Sequence, residues 1–176
     1  MTSDSAVLVR AAIRWDRAGG PPPYVRHRPV RGEPGEMLVV TDSSRLRRIV
    51  LVLNGPADGH GVARVALATP ATEMATDRDL IVGAGEAGFP FPLAIQSDIT
   101  AWIDGSVVES SIGRLGRRWF DAVVNAQVTD GASLRRMRHG RPLGSASDPR
   151  RRFRQTEAEM LRRIGLEVAA ASEAHP

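Results

Sequence analysis

GEMLVVTDSSRLRRIVLVLN, residues 35–54, followed after a Gly-rich turn by GVARVALAT, residues 61–69, is the stretch whose reading decides the fold. Three short Val- and Leu-rich runs are separated by polar, Gly and Pro punctuation, the pattern of neighbouring antiparallel strands. Glu36 to Val40, Ile49 to Leu53 and Val62 to Ala68 are therefore expected as strands of one sheet, since the gaps between them leave no room for crossover helices. Arg48 opens the second strand and Thr69 closes the third.

Working outward toward the C-terminus, Asp79 to Val82 reads as a short strand. Gly83-Ala84-Gly85-Glu86-Ala87-Gly88 after it matches GxGxxG. A dinucleotide site needs that loop to open a helix, whose free N–H groups take the pyrophosphate, and Phe89-Pro90-Phe91-Pro92 cannot continue as helix; a Gly loop is expected. Pro92 to Gln96, Ile99 to Ile103 and Ser106 to Ile112 read as further strands, with Asp104-Gly105 as a hairpin turn. Apolar residues at 119, 120, 123, 124 and 128 share one helical face, so a helix is expected over Arg117 to Val128. The stretch that follows, to Pro149, is a polar, basic linker or surface-hugging loop. Thr156-Glu157-Ala158-Glu159 is a capping box that starts a last helix at about Glu157, with Met160, Leu161, Ile164 and Val168 on its apolar face. Toward the N-terminus, Ala6 to Trp15 alternates as an outlying strand and also fits an amphipathic helix. Gly19-Gly20-Pro21-Pro22-Pro23 then breaks regular structure, and the chain runs extended to Pro34.

The chain has 176 residues, enough for one buried core plus appendages. Cysteine is absent, which removes disulfides, thiolate metal sites and thiol nucleophiles. Nothing in the sequence reads as a membrane span or an export signal, so a cytoplasmic, non-membrane protein is expected. Every one of the 24 basic residues is Arg, set against 20 acidic ones. A GC-rich genome accounts for the preference for Arg but not for its placement, as more than half of the Arg residues lie from Arg114 onward. Arg135, Arg136, Arg138, Arg150, Arg151, Arg152 and Arg154 form a basic region suited to a polyanion, or else a solvated helix approach. Lys is absent, so P-loop, kinase and Schiff-base chemistries lack their usual residue, and the four His residues show no ligand spacing. Neither a metal nor another cofactor is implied. Trp102 is expected in the interior, or facing a second subunit or a bound base, and Trp119 in the core.

The chain resembles the MazF/PemK group of toxins, whose small SH3-like barrel is shared with CcdB-type gyrase poisons. Gly35 with Glu36, Arg48, Val65 to Thr69, Asp98 with Ile99, and Ile112-Gly113-Arg114-Leu115 carry the resemblance. It covers about residues 35–128. It implies an α+β fold, namely a small twisted antiparallel β-barrel with packed helices. The organisation expected is an N-terminal arm over 1–34, the barrel domain over 35–130, and a basic linker with a C-terminal helix over 131–176. The group usually has Pro after the Arg where this chain has Ile49, and the loop before Arg48 is short here.

What the resemblance implies about chemistry is metal-independent cleavage of RNA, with Arg48 and Thr69 as the catalytic pair and Arg47 beside them. Such cleavage must deprotonate the 2′-OH, stabilise charge on the phosphate and protonate the leaving 5′-oxygen. A guanidinium holds two phosphate oxygens while keeping its charge, and a Thr hydroxyl can orient the phosphate. Without the resemblance, Arg48 reads as a solvated turn residue and Thr69 as an ordinary strand end. A growth-inhibiting endoribonuclease toxin, homodimeric and held by an antitoxin as in the group, is one expectation. The alternative is a non-catalytic binder of nucleic acid, RNA or DNA, or of a host protein such as gyrase.

Overall fold

The computed structural model describes residues 31–41, 47–55, 62–86, 89, 91–129, 134 and 137–173, without the side chains of 62 and 166–173. The strand or helix expected over Ala6 to Trp15 lies outside these residues, as do Arg135, Arg136 and three of the His residues, all but His139.

Six strands form one antiparallel sheet: β1 (Glu36–Thr41), β2 (Arg47–Asn54), β3 (Val62–Thr69), β4 (Asp79–Val82), β5 (Leu93–Asp104) and β6 (Val108–Arg114), in the order β4-β5-β3-β2-β1-β6. Two helices, α1 (Arg117–Val128) and α2 (Pro149–Glu173), complete an α+β fold. The edge strands β4 and β6 do not pair with each other, so the barrel is an open one.

Strand alternation divides the core into two layers. Met37, Val39, Ile49, Leu51, Ala66, Leu80 and Ile95 meet Val123 and Ala126 of α1, together with Leu134. On the other face Leu38, Val40, Val50, Val52, Val65 and Leu67 meet Leu161 and Ile164 of α2. Burying each of those two α2 side chains is worth about 1.5–3 kcal/mol, and both are at most 1% exposed.

Three expectations need correction. The two strands expected over 92–96 and 99–103 are one strand, β5, interrupted by a bulge. Leu67 faces Gln96, whereas the next residue back, Ala66, faces Thr100. The inserted Ser97, Asp98 and Ile99 are odd in number, so the strand changes face: Leu93 and Ile95 belong to the α1 layer, Ile99 and Ile103 to the α2 layer. Asp104-Gly105 is not a hairpin turn, because β6 pairs with β1 at the far edge. The Asp104 carboxylate accepts from the Ser106 N–H and opens a 3₁₀ turn over Gly105–Val107, from which the chain crosses over. The last helix starts at Pro149, not at Glu157. Asp148 caps it, accepting from the Arg150 N–H, and Pro149 suits a first helical position. The Thr156 hydroxyl instead donates to the Arg152 carbonyl within the helix, so the expected capping box does not form.

Two of the segments that carry the resemblance, at Gly35 and at Arg114-Leu115, hold one corner together. Gly35, at φ +87°, donates to the Val52 carbonyl and accepts from the Leu115 N–H, while the Arg114 guanidinium meets Glu33 and the Pro34 carbonyl. Gly83 to Glu86 form a turn closed by the Glu86 carboxylate on the Gly83 N–H, and among the described residues up to β5 there is no helix. The stretch before α2 does hug the surface. Thr76 bridges to Arg141 and Leu80 to His139, and Gly140 passes so near the Ala75 carbonyl that a Cβ there would stand 2.2 Å from it.

Candidate functional site

β2 and β3 pair from Ile49 opposite Ala68, and Arg48 and Thr69 occupy the positions one step beyond that pair. By alternation both share the face of Val50 and Leu67, the face that α2 covers. The aliphatic runs that build the two strands thus bring the two candidate residues to neighbouring positions at one end of the sheet. The Thr69 side-chain oxygen accepts from the Ala71 N–H at 3.2 Å.

Arg48 does not stand open to solvent there. Its side chain is 20% exposed, and its Nε lies 3.7 Å from Oε1 of Glu157, whose side chain is 9% exposed. One terminal nitrogen donates to the Arg47 carbonyl at 2.8 Å, and Nε makes no hydrogen bond. Burial pushes the Glu157 carboxyl above its ordinary range, against the pull of the Arg48 charge. Arg47 is turned to the opposite side, where it forms a two-pronged pair with Glu109 at 2.5 and 2.7 Å, which the Thr41 hydroxyl joins.

Further along the same face, Gln96 is fully buried and neither end of its amide has a hydrogen-bond partner. It lies opposite Leu67 on one side and Asp79 on the other, two residues from Ala94, the partner of Thr69. Asp79 is fully buried too, and burial raises its carboxyl. Both its oxygens are 2.6 Å from Arg154, and the Thr76 N–H and hydroxyl add two further bonds.

The basic residues divide sharply. Arg154, expected to reach a polyanion, is instead buried and bonded to Asp79 and Asp98, pinning α2 to β4 and to the β5 bulge. Its charge is spent inside the fold. Arg150 is largely consumed as well: it pairs with Asp148 at 2.6 Å and donates to the carbonyls of Ala75, Arg141 and Pro142. That guanidinium holds the Asp148 carboxyl well below the usual carboxylate range. Arg138, Arg151 and Arg152 are exposed, Arg151 also donating to the Ser145 and Gly144 carbonyls.

Trp102, for which burial was one expectation, is 56% exposed on β5, and Trp119 is half-buried under the Arg118 guanidinium. An open cleft of about 580 Å³ lies elsewhere, between the Gly35 turn and the start of α1. It is lined by residues such as Arg114, Arg117 and Phe120 and contains none of the candidate residues. Among the described residues no three His, Cys, Asp or Glu side chains could together hold a metal ion, and no helix is long and apolar enough to cross a membrane.

Sequence reasoning missed Glu157, Gln96 and Asp79. Glu157 reads as half of a capping box, and a Gln in an aliphatic strand carries no sign of its burial. Asp79 is a charge that opens an apolar run, a signal that could have been followed to a buried partner.

No family model matches the chain, and no curated protein matches it. Solved structures do. The chain is similar to an endoribonuclease in complex with its cognate antitoxin from a mycobacterial species (10% identity, 58% of this chain and 94% of that one, TM-score 0.44). A MazE–MazF structure from Deinococcus radiodurans is also similar (14%, 57% and 94%, TM-score 0.47). So is the Mycobacterium tuberculosis toxin MazF-mt6 (17%, 55% and 94%, TM-score 0.45).

Proposed function

We propose that this protein is a growth-inhibiting, metal-independent endoribonuclease of the MazF/PemK type, with Arg48 and Thr69 at its centre. The observation that carries the reading is the strand register that sets those two residues at neighbouring positions on one sheet face. In the proposed reaction the 2′-oxygen attacks phosphorus as the bond to the 5′-oxygen breaks. The proton lost by the 2′-OH is balanced by one gained by the leaving oxygen. Arg48 supplies two donors and a fixed positive charge to the pentacoordinate phosphate, and the Thr69 hydroxyl, whose proton is not committed to the Ala71 contact, orients it. Arg48 keeps its proton throughout, so it acts as an electrostatic group and not as the base. The test is incubation with RNA in the presence of EDTA. Cleavage by the native chain, its loss in Arg48→Ala, and resistance of DNA, which lacks the 2′-OH, are the expected results. RNA left intact at every protein concentration would refute it.

A second reading is favoured by the exposure of Arg138, Arg151 and Arg152 around the start of α2. In it the protein holds nucleic acid without cutting it, and toxicity would survive combined Arg48→Ala and Thr69→Ala substitution. Both readings include a homodimer, with exposed Trp102 or helix α1 near the contact, and an antitoxin as partner in the cytoplasm. Light scattering at micromolar concentration checks the dimer.

A further inference from the structure

Glu157 is unusual among the acidic residues of this fold. Asp79, Asp98, Glu109 and Asp148 each meet an Arg within hydrogen-bond distance, whereas Glu157, more enclosed than all of these but Asp79, stays 3.7 Å from Arg48. Its position is fixed by others. Arg154, three residues earlier, is anchored on Asp79 and Asp98, and Leu161, four residues later, is buried in the core layer. Residues at these spacings share one helical face, so α2 necessarily sets residue 157 against the sheet beside Arg48. An apolar or amide side chain would fill that space without the cost of enclosing a charge; a carboxylate is present instead.

We propose that Glu157 is a built-in competitor for the phosphate: an internal carboxylate that engages the Arg48 guanidinium until a phosphodiester displaces it. The inference rests on the reading of Arg48 as the phosphate-binding residue. The loose pair is a poor one, since it leaves Arg48 Nε without a hydrogen bond. A phosphate that makes two short charge-assisted bonds, at about 2.7–2.9 Å each, is the better ligand for the same group. Displacement requires the Arg48 side chain to turn toward the sheet end, not the whole helix to lift, so Leu161 and Ile164 can remain buried. Polar capacity is available on the same face, in the Thr69 hydroxyl proton and the unpartnered Gln96 amide. Glu157 therefore raises the phosphate concentration at which the site fills, by electrostatic competition.

The test uses the full chain and a 2′-O-methyl oligoribonucleotide, which binds but cannot be cleaved, with inorganic phosphate as a second probe. Glu157→Gln keeps the shape and removes the charge. It is expected to tighten oligonucleotide binding about tenfold, the effect of removing one partly buried competing charge. Glu157→Asp, which withdraws the carboxylate by one methylene, should give a smaller gain in the same direction. That second variant keeps the question open to refutation if Glu157→Gln unfolds. In an Arg48→Ala background neither change should matter. Unchanged or weaker binding in both variants overturns the proposal, as does an equal gain in the Arg48→Ala background. Loss of RNA cleavage in Glu157→Gln, where the native chain is active, also overturns it, since it would make Glu157 a participant in the reaction. Tighter binding with no cleavage in any variant supports the competitor and removes the ribonuclease reading, so the two fail separately.

Discussion

The two faces of the sheet are closed in different ways. Under α1 the layer is mainly aliphatic and aromatic, from Met37 to Val123; its polar exceptions are small or peripheral, the buried and unpartnered Ser110 hydroxyl opposite Val39 and, at the rim, Arg114 paired with Glu33. Under α2 the apolar patch of Val50, Val65 and Leu161 covers only part of the face. The remainder holds Arg48, Thr69, Gln96 and Asp79, roofed by Arg154 and Glu157. A fold that needed only stability would not leave an amide and a guanidinium nitrogen buried and unpartnered, because each such group costs about 1–3 kcal/mol. The α1 face leaves one small hydroxyl unpartnered; the α2 face gathers an amide, two guanidinium groups and two carboxylates.

The sharpest way to break this contrast is Arg154→Met, which leaves Asp79 charged, buried and without its guanidinium. The expected loss is about 3–5 kcal/mol, read from urea unfolding, because the desolvation of the orphaned carboxylate is no longer offset. Leu51→Ala on the α1 face should cost about 2–5 kcal/mol through transfer and cavity effects, with no change in the binding chemistry of molecules that remain folded.

Arg48→Ala is expected to behave in the opposite sense. Stability should fall by less than in Arg154→Met, since the pair it breaks is long, while RNA cleavage is abolished. A large drop in melting temperature with activity retained would make Arg48 a structural residue.

A pH titration sharpens the contrast further. The Glu157 carboxyl titrates above its ordinary 4.5 in the folded protein, so the folded state takes up a proton that the unfolded chain does not. Stability from this group therefore rises as pH falls through its raised value toward 4.5. Glu157→Gln lacks that gain, so the melting temperature of the native chain relative to the variant should be higher at pH 5 than at pH 7. Asp148 has the opposite sign. Its carboxyl is held below the ordinary 3.8, so its contribution is present above that value and lost as the pH falls below it, in both proteins alike. The smallest effect belongs to Arg151→Ala with Arg152→Ala. Stability should stay within about 0.5 kcal/mol, while the salt slope of single-strand binding falls by about 0.7 per phosphate contact removed.

The sheet and α1 were legible in the sequence, because their signal is local: Val and Leu alternation, turn residues and a single helical stripe. The bulge in β5 was not. Ser97 and Asp98 look like the gap between two strands, and only the pairing to β3 shows that the chain continues through them on the opposite face. The start of α2 was misplaced because Thr156 and Glu157 have the chemistry of a cap, while Asp148, the actual cap, sits in a polar stretch that resembles a linker. The neighbouring positions of Arg48 and Thr69 follow from strand register and were within reach. What covers them was not, because the fates of Arg154 and Glu157 are set by Asp79, Asp98 and Arg48, far earlier in the chain.

That separation along the chain has a consequence for synthesis. The β1–β2–β3 meander is complete once Thr69 has left the ribosome, since each of its pairings joins consecutive strands. The helix that carries Glu157 emerges later, by an interval on the order of ten seconds at ordinary elongation rates. During that interval Arg48 and Thr69 sit on a sheet whose second face has no helix to cover it. The nascent chain therefore displays its most chemically charged surface before the residue that neutralises it has been made.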